Sequence, residues 1–213
     1  MNKIYNIVWN KTLGQWVAAA ENTRSHSTGA LKIATIGAVM AFTANVHAAE
    51  CAGVVNSYVN AINGTSCDAT GTNYNYIQAT TGATVVNVTA PNVTVIATYN
   101  ASAAVYALNG GIINFSGNVN TTGTGLRTGV TVGWPNNTHS EVNVAGNLTA
   151  TGGVGTGEGA YIWNNSLLKV DGNFVAKTTA GTRSTVRNSG SLMIGGTSLV
   201  TSSTADGMVL SGT

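Results

Sequence analysis

The chain has 213 residues, 9 of them basic and 7 acidic, and its charged share of 8% is about a third of that in an ordinary soluble domain. Thr occupies 31 positions, Gly 27 and Asn 25; glycine does not recur at every third residue, as collagen requires, and charge is too scarce for a polybasic nucleic-acid binder or an acidic disordered tail. What remains is a chain of β-branched residues and turn formers, a composition that favours short strands and tight corners.

Residues 33–44, IATIGAVMAFTA, are a 12-residue apolar run after Lys32 and before NVHAAE. A bilayer span takes about 20 apolar residues, so this run reads as the core of a secretory signal. Val46 and Ala48 supply the small residues that signal peptidase needs, which predicts cleavage after Ala48. Cleavage after Ala49 is the alternative, and it would place His47 at an unfavourable position.

The stretch ahead of that run is far longer than a simple signal needs. It begins MNKIYNIVWNKTLGQWVAAAENTRSHS. Met1, Asn2, Lys3, Ile4, Tyr5, Val8, Trp9, Asn10, Gly14, Trp16, Val17, Ala18 and Glu21 carry a pattern that resembles the extended signal peptide region of type V secretion systems. These are the autotransporters and related two-partner exoproteins of Gram-negative bacteria. The family usually has a hydroxyl residue before that Glu, where this chain has Ala20. The resemblance implies that residues 1–30 delay inner-membrane targeting and that residues 31–48 complete the leader. It also implies export through the Sec machinery, a location at the cell surface, in the medium or in the periplasm, and an outer-membrane barrel in the full-length protein.

Without residues 1–48, 165 residues remain with 5 basic and 6 acidic side chains, so the net charge of +2 belongs to the leader. Cys51 and Cys67 both remain, and in an oxidising compartment they are expected to form a disulfide. No CxxC and no nearby His supports a metal-ligand set. Residues 49–84 read as an N-terminal cap held by that disulfide, with VVNSYVNAIN a helix or a first strand.

From residue 85 one pattern recurs: VVNVTAPNVTVIA, IINFSGNVNTTG, EVNVAGNLTATGG, LLKVDGNFVAKTTAG and SLMIGGTSLVTSSTADG. Each copy is an alternating strand, a small-residue corner, a second strand and a Thr/Gly turn. The corners fall at Pro91, Gly117, Gly146, Gly172 and Gly196, at intervals of 26, 29, 26 and 24 residues. A period of this length with strand-type alternation marks a solenoid. Residues 85–213 are therefore expected to form a right-handed parallel β-helix. Its inward side chains should be Val86, Val88, Ile113, Phe115, Val142, Val144, Leu168, Val170, Leu192 and Ile194. Asn92, Asn118, Asn147 and Asn173 follow the corner residue, with Thr197 in the last copy, and Asn109, Asn164 and Asn188 lie eight positions before it. Both sets read as amide ladders running from rung to rung, since Asn tolerates tight corners and its stacked amides can hydrogen-bond.

Chemistry is harder to find. His139, in the inserted loop WPNNTH, is the only His after the leader, and no GxSxG surrounds any Ser. Glu141 and Asp171 fall at different places in the repeat, so they do not stack into the carboxylate pair that glycoside hydrolysis requires. The run GGVGTGEG lacks the ending of a phosphate loop and reads as a turn. Tyr106, Trp134, Tyr161 and Trp163 form either an exposed patch for sugars or a partner, or packing at a coil edge. The chain stops at MVLSGT without barrel strands, and is expected to be an N-terminal fragment or a truncated gene product. The expected function is a structural or adhesive passenger segment, without cofactor, metal, nucleic acid or active site, that contacts a host or bacterial surface or itself. A passenger enzyme whose catalytic domain lies past residue 213 is the alternative.

Overall fold

The computed structural model describes residues 5–10, 15–20, 49–51, 57–62, 64–82, 84–97, 102–134, 138–155, 157–179, 183–202 and 207–210. The chain divides into two compact units, Met1–Thr43 and Ala44–Thr213. In the first, β1 (Tyr5–Asn10) and β2 (Gln15–Ala20) pair antiparallel.

The second unit is a parallel β-solenoid. It starts with β3 (Ala49–Glu50), β4 (Ser57–Ile62), β5 (Ser66–Ala69) and β6 (Asn73–Thr80). The alternation after residue 85 then becomes coils of three strands. They are β7 (Val85–Val88), β8 (Asn92–Ile96) and β9 (Ala103–Leu108); β10 (Ile112–Phe115), β11 (Asn118–Thr122) and β12 (Thr128–Val132); and β13 (Glu141–Val144), β14 (Leu148–Gly152) and β15 (Ala160–Ile162). The series continues with β16 (Leu167–Val170), β17 (Phe174–Thr178) and β18 (Val186–Asn188), then β19 (Ser191–Ile194), β20 (Ser198–Thr201) and β21 (Met208–Leu210). First strands stack on first strands, second on second and third on third, giving three parallel faces.

Parallel sheets must bury what lies between them, and the repeat supplies it. Val86, Ile113, Val142, Leu168 and Leu192 stand in register across the first face, as do Val88, Phe115, Val144, Val170 and Ile194. The first four residues of each column are almost fully buried. Leu192 and Ile194 are only half-buried; both lie on β19, the outermost described strand of that face, and pack against the core from one side.

The segment 49–84 continues the stack, and VVNSYVNAIN contributes strand β4 rather than a helix. β6 serves two faces at once: Asn73 and Tyr74 pair with β8, while residues 77–80 pair with β9. Cys67 stands in register with Val86 and bonds to the buried Cys51, with Cα atoms 4.8 Å apart. The disulfide thus ties the residue after β3 to an inward column of the first face.

Candidate functional site

The corner between the first and second faces carries a hydrogen-bonded column. Asn118 Nδ2 donates to Asn92 Oδ1 at 2.9 Å, and Asn147 Nδ2 donates to Asn118 Oδ1 at 3.1 Å. Asn173 N donates to Asn147 Oδ1 at 2.8 Å, and Thr197 gives both its N–H and its hydroxyl to Asn173 Oδ1. The glycines before Asn147 and Asn173 follow from this packing. A Cβ on Gly146 would lie 2.6 Å from Asn118 Oδ1, and one on Gly172 would lie 2.6 Å from Asn147 Oδ1. The carboxamide of one coil occupies the space above the corner of the next. This corner is exposed, and a shallow groove of about 250 Å³ along the second face is lined by Asn92, Thr94, Asn118, Asn120, Asn147 and Thr149 among others.

A second column runs along the middle of the first face, where sequence reasoning did not place one. Asn143 Nδ2 donates to Asn114 Oδ1, Asn114 Nδ2 to Asn87 Oδ1, and Asn87 Nδ2 to Asp68 Oδ1, each at 3.0 Å. The signal was present in VVNV, IINF and EVNV, because the third position of each strand points outward and Asn is unfavourable in strands unless paired.

The column expected at Asn109, Asn164 and Asn188 does not form as a ladder. Asn188 ends β18 in register with Ile162, two positions before Asn164, and its Oδ1 accepts from Gly190 N. The turn after β18 is two residues shorter than the one after β15, so counting back from the corner misaligns it. Asn109 instead takes a left-handed φ of 47° in its turn, and its Oδ1 is buried without a partner.

The remaining polar groups are dispersed. Glu141 stands opposite Leu167, and its Oε2 accepts from Asn143. His139 Nδ1 lies 2.6 Å from Asn165 O, and its Nε2 lies 2.7 Å from Glu141 Oε1. A carbonyl and a carboxylate can only accept, so both contacts are made only by the doubly protonated ring. First the Glu141 bond and then the Asn165 bond raise the His139 pKa. Glu158, in the glycine-rich run read as a turn, is only 2% exposed. It accepts from Thr128 Oγ1 at 3.2 Å, with Arg183 Nη1 at 3.7 Å from its other oxygen. Burial raises its pKa against the opposing pull of Arg183. Tyr161 is 7% exposed and Trp134 44%. Trp134 meets Trp163 edge-on at 4.3 Å and Tyr161 at 6.5 Å, so its ring packs against the next coil.

Residues 1–49 match the family described as Extended Signal Peptide of Type V secretion system. The N-terminal segment is thus similar to type V secretion leaders. No curated protein and no solved structure matches the chain.

That leader marks the chain for export from a Gram-negative cell by type V secretion, through Sec, and the leader together with the β-solenoid fits an autotransporter passenger. Within the leader, the two tryptophans of the motif are cross-strand partners, Trp9 opposite Trp16, and Val8 faces Val17 in the register. The apolar run and Ala48 lie outside the described residues, and the first described residue after them, Ala49, pairs with Cys67 as part of β3.

Proposed function

We propose that this chain is the N-terminal segment of a secreted or surface-displayed autotransporter passenger that works as a structural, adhesin-like rod and carries out no chemistry in this portion. The observation that carries the reading is the joining of a type V leader to a parallel solenoid whose outer faces are ordered polar columns. Such faces repeat the same groups at every coil, about 4.8 Å apart, which suits many weak contacts acting together. The side chains that catalysis would recruit are separated or already engaged. Glu141 has an apolar neighbour in the next coil, and both ring nitrogens of His139 are held by acceptors.

The test is display of the chain on a Gram-negative host through a type V barrel, followed by adhesion and cell–cell aggregation assays. Displaying cells are expected to bind an epithelial or abiotic surface, or each other, more than cells with an empty barrel. The gain should vanish when residues 1–49 are deleted, because export stops. Surface-exposed chain with no change in either assay would end the adhesive reading.

A further inference from the structure

On the third face, the outward positions of successive coils read Tyr106, Thr131, Tyr161 and Arg187. Arg187 is exposed, and its guanidinium carbon lies 4.8 Å from the centre of the Tyr161 ring. On Tyr161 also rests Trp134, whose exposed surface is the largest aromatic surface in this cluster. A guanidinium and an open indole therefore flank one nearly buried phenol, and the phenol fixes the spacing between them.

Positive charge is scarce in the solenoid. Beyond the leader there are five basic residues, Arg127, Lys169, Lys177, Arg183 and Arg187. Lys169 is paired with Asp171 at 2.8 Å, and Arg183 lies against Glu158. Arg187, like Lys177, takes part in none of the ion pairs found among the described residues; what sets it apart is its seat over the Tyr161 ring. A ring under a guanidinium holds it in place by cation–π attraction and leaves its in-plane N–H fork unspent. That fork matches a carboxylate in two parallel hydrogen bonds. An exposed indole offers a flat apolar surface of the kind that the C–H face of a sugar ring covers.

We propose that Arg187 and Trp134, spaced by Tyr161, form a binding site for a carboxylate-bearing glycan, a chain containing uronic acid residues. The carboxylate pairs with the Arg187 fork while a sugar ring of the same chain lies on Trp134. The proposal rests on the adhesive reading above and gives it a ligand class. Glu158 is buried and makes its ion-pair contact with Arg183, so its attraction for Arg187 acts without a direct contact and leaves the exposed fork open.

The test uses the full chain in affinity electrophoresis through gels containing polygalacturonate, dextran or heparin. Retardation by polygalacturonate is expected, with little by neutral dextran. Arg187→Gln should weaken it about tenfold or more, in line with the loss of a charge-assisted bidentate pair, and Arg187→Lys should recover only part of it. Trp134→Ala tests the stacking surface and should weaken binding several-fold. Because that change can loosen the loop, Trp134→Phe serves beside it and should retain most of the affinity. Equal retardation by dextran, stronger retardation by heparin, or unchanged binding in Arg187→Gln would overturn the proposal, as would no retardation at all. If displaying cells adhere while polygalacturonate binding fails, this inference falls and the adhesive reading stands. Binding to the polymer without adhesion gives the reverse.

Discussion

Replacing Asn147 tests the corner column and its direction together. Its side chain donates to Asn118 Oδ1 at 3.1 Å and accepts from Asn173 N at 2.8 Å. Alanine removes both bonds. A net hydrogen bond contributes about 0.5–1.5 kcal/mol, and because this corner is exposed, water takes up the orphaned groups. The expected loss is therefore about 1–2 kcal/mol rather than the larger cost of a buried network. Aspartate is the sharper probe. It keeps an acceptor for Asn173 N but sets a second acceptor against Asn118 Oδ1, so at neutral pH it should cost more than alanine, about 2–3 kcal/mol. The facing oxygen raises the new carboxyl's pKa in the folded state. Stability should therefore return as pH falls through that raised pKa, where the protonated acid donates again. Urea unfolding of both variants against the parent, at neutral and acidic pH, measures this. An Asn147→Asp chain as stable as the parent at neutral pH would refute the polarity of the column.

Gly172→Ala should cost about 1–3 kcal/mol, because its Cβ would meet Asn147 Oδ1 at 2.6 Å. Gly82→Ala, with nothing within 4 Å, should be neutral or slightly stabilising in the same melts. Reducing the Cys51–Cys67 bond, which closes a loop of separation 16, should lower stability by roughly 3 kcal/mol, seen as a fall in Tm on adding reductant. Since the folded pKa of His139 is raised, its two contacts add stability that is present below the unfolded pKa and lost as pH rises through the folded one. Hydrogen exchange over residues 138–140, corrected for its intrinsic pH dependence, should quicken over that window in the parent but not in His139→Gln.

The repeat was legible because strand alternation and the Gly–Asn corner are local. Ten inward residues, two of them half-buried at the outermost described strand, and the corner column could be placed from spacing alone. What could not be read depends on neighbouring coils. Asn188 was misplaced because one turn is shorter than its counterparts, and only strand pairing reveals which residue lies opposite. The Asn87, Asn114 and Asn143 column lies mid-strand, where an outward Asn looks like solvent decoration until the register aligns three of them above Asp68. Glu158 sat in a glycine-rich run that reads as a surface turn. Its burial follows from the close approach of backbones there: a Cβ on Gly152 would lie 2.6 Å from the Glu158 carbonyl carbon.

The coils differ in length, and the difference is not spread evenly around them. At the Gly–Asn corner the link between aligned strand positions is two residues in four successive coils, Ser116 and Gly117, Ala145 and Gly146, Asp171 and Gly172, then Gly195 and Gly196, and three, Thr89 to Pro91, in the coil before them. At the turn between the third face and the next coil it ranges from Ser189 and Gly190 alone to the whole of residues 133–140. One edge of the solenoid is held near constant by its amides, the link between the second and third faces runs from five to seven residues, and the third edge varies most. Loops can be lengthened or exchanged along that third edge without disturbing the stacking, so variation gathers away from the amide corner.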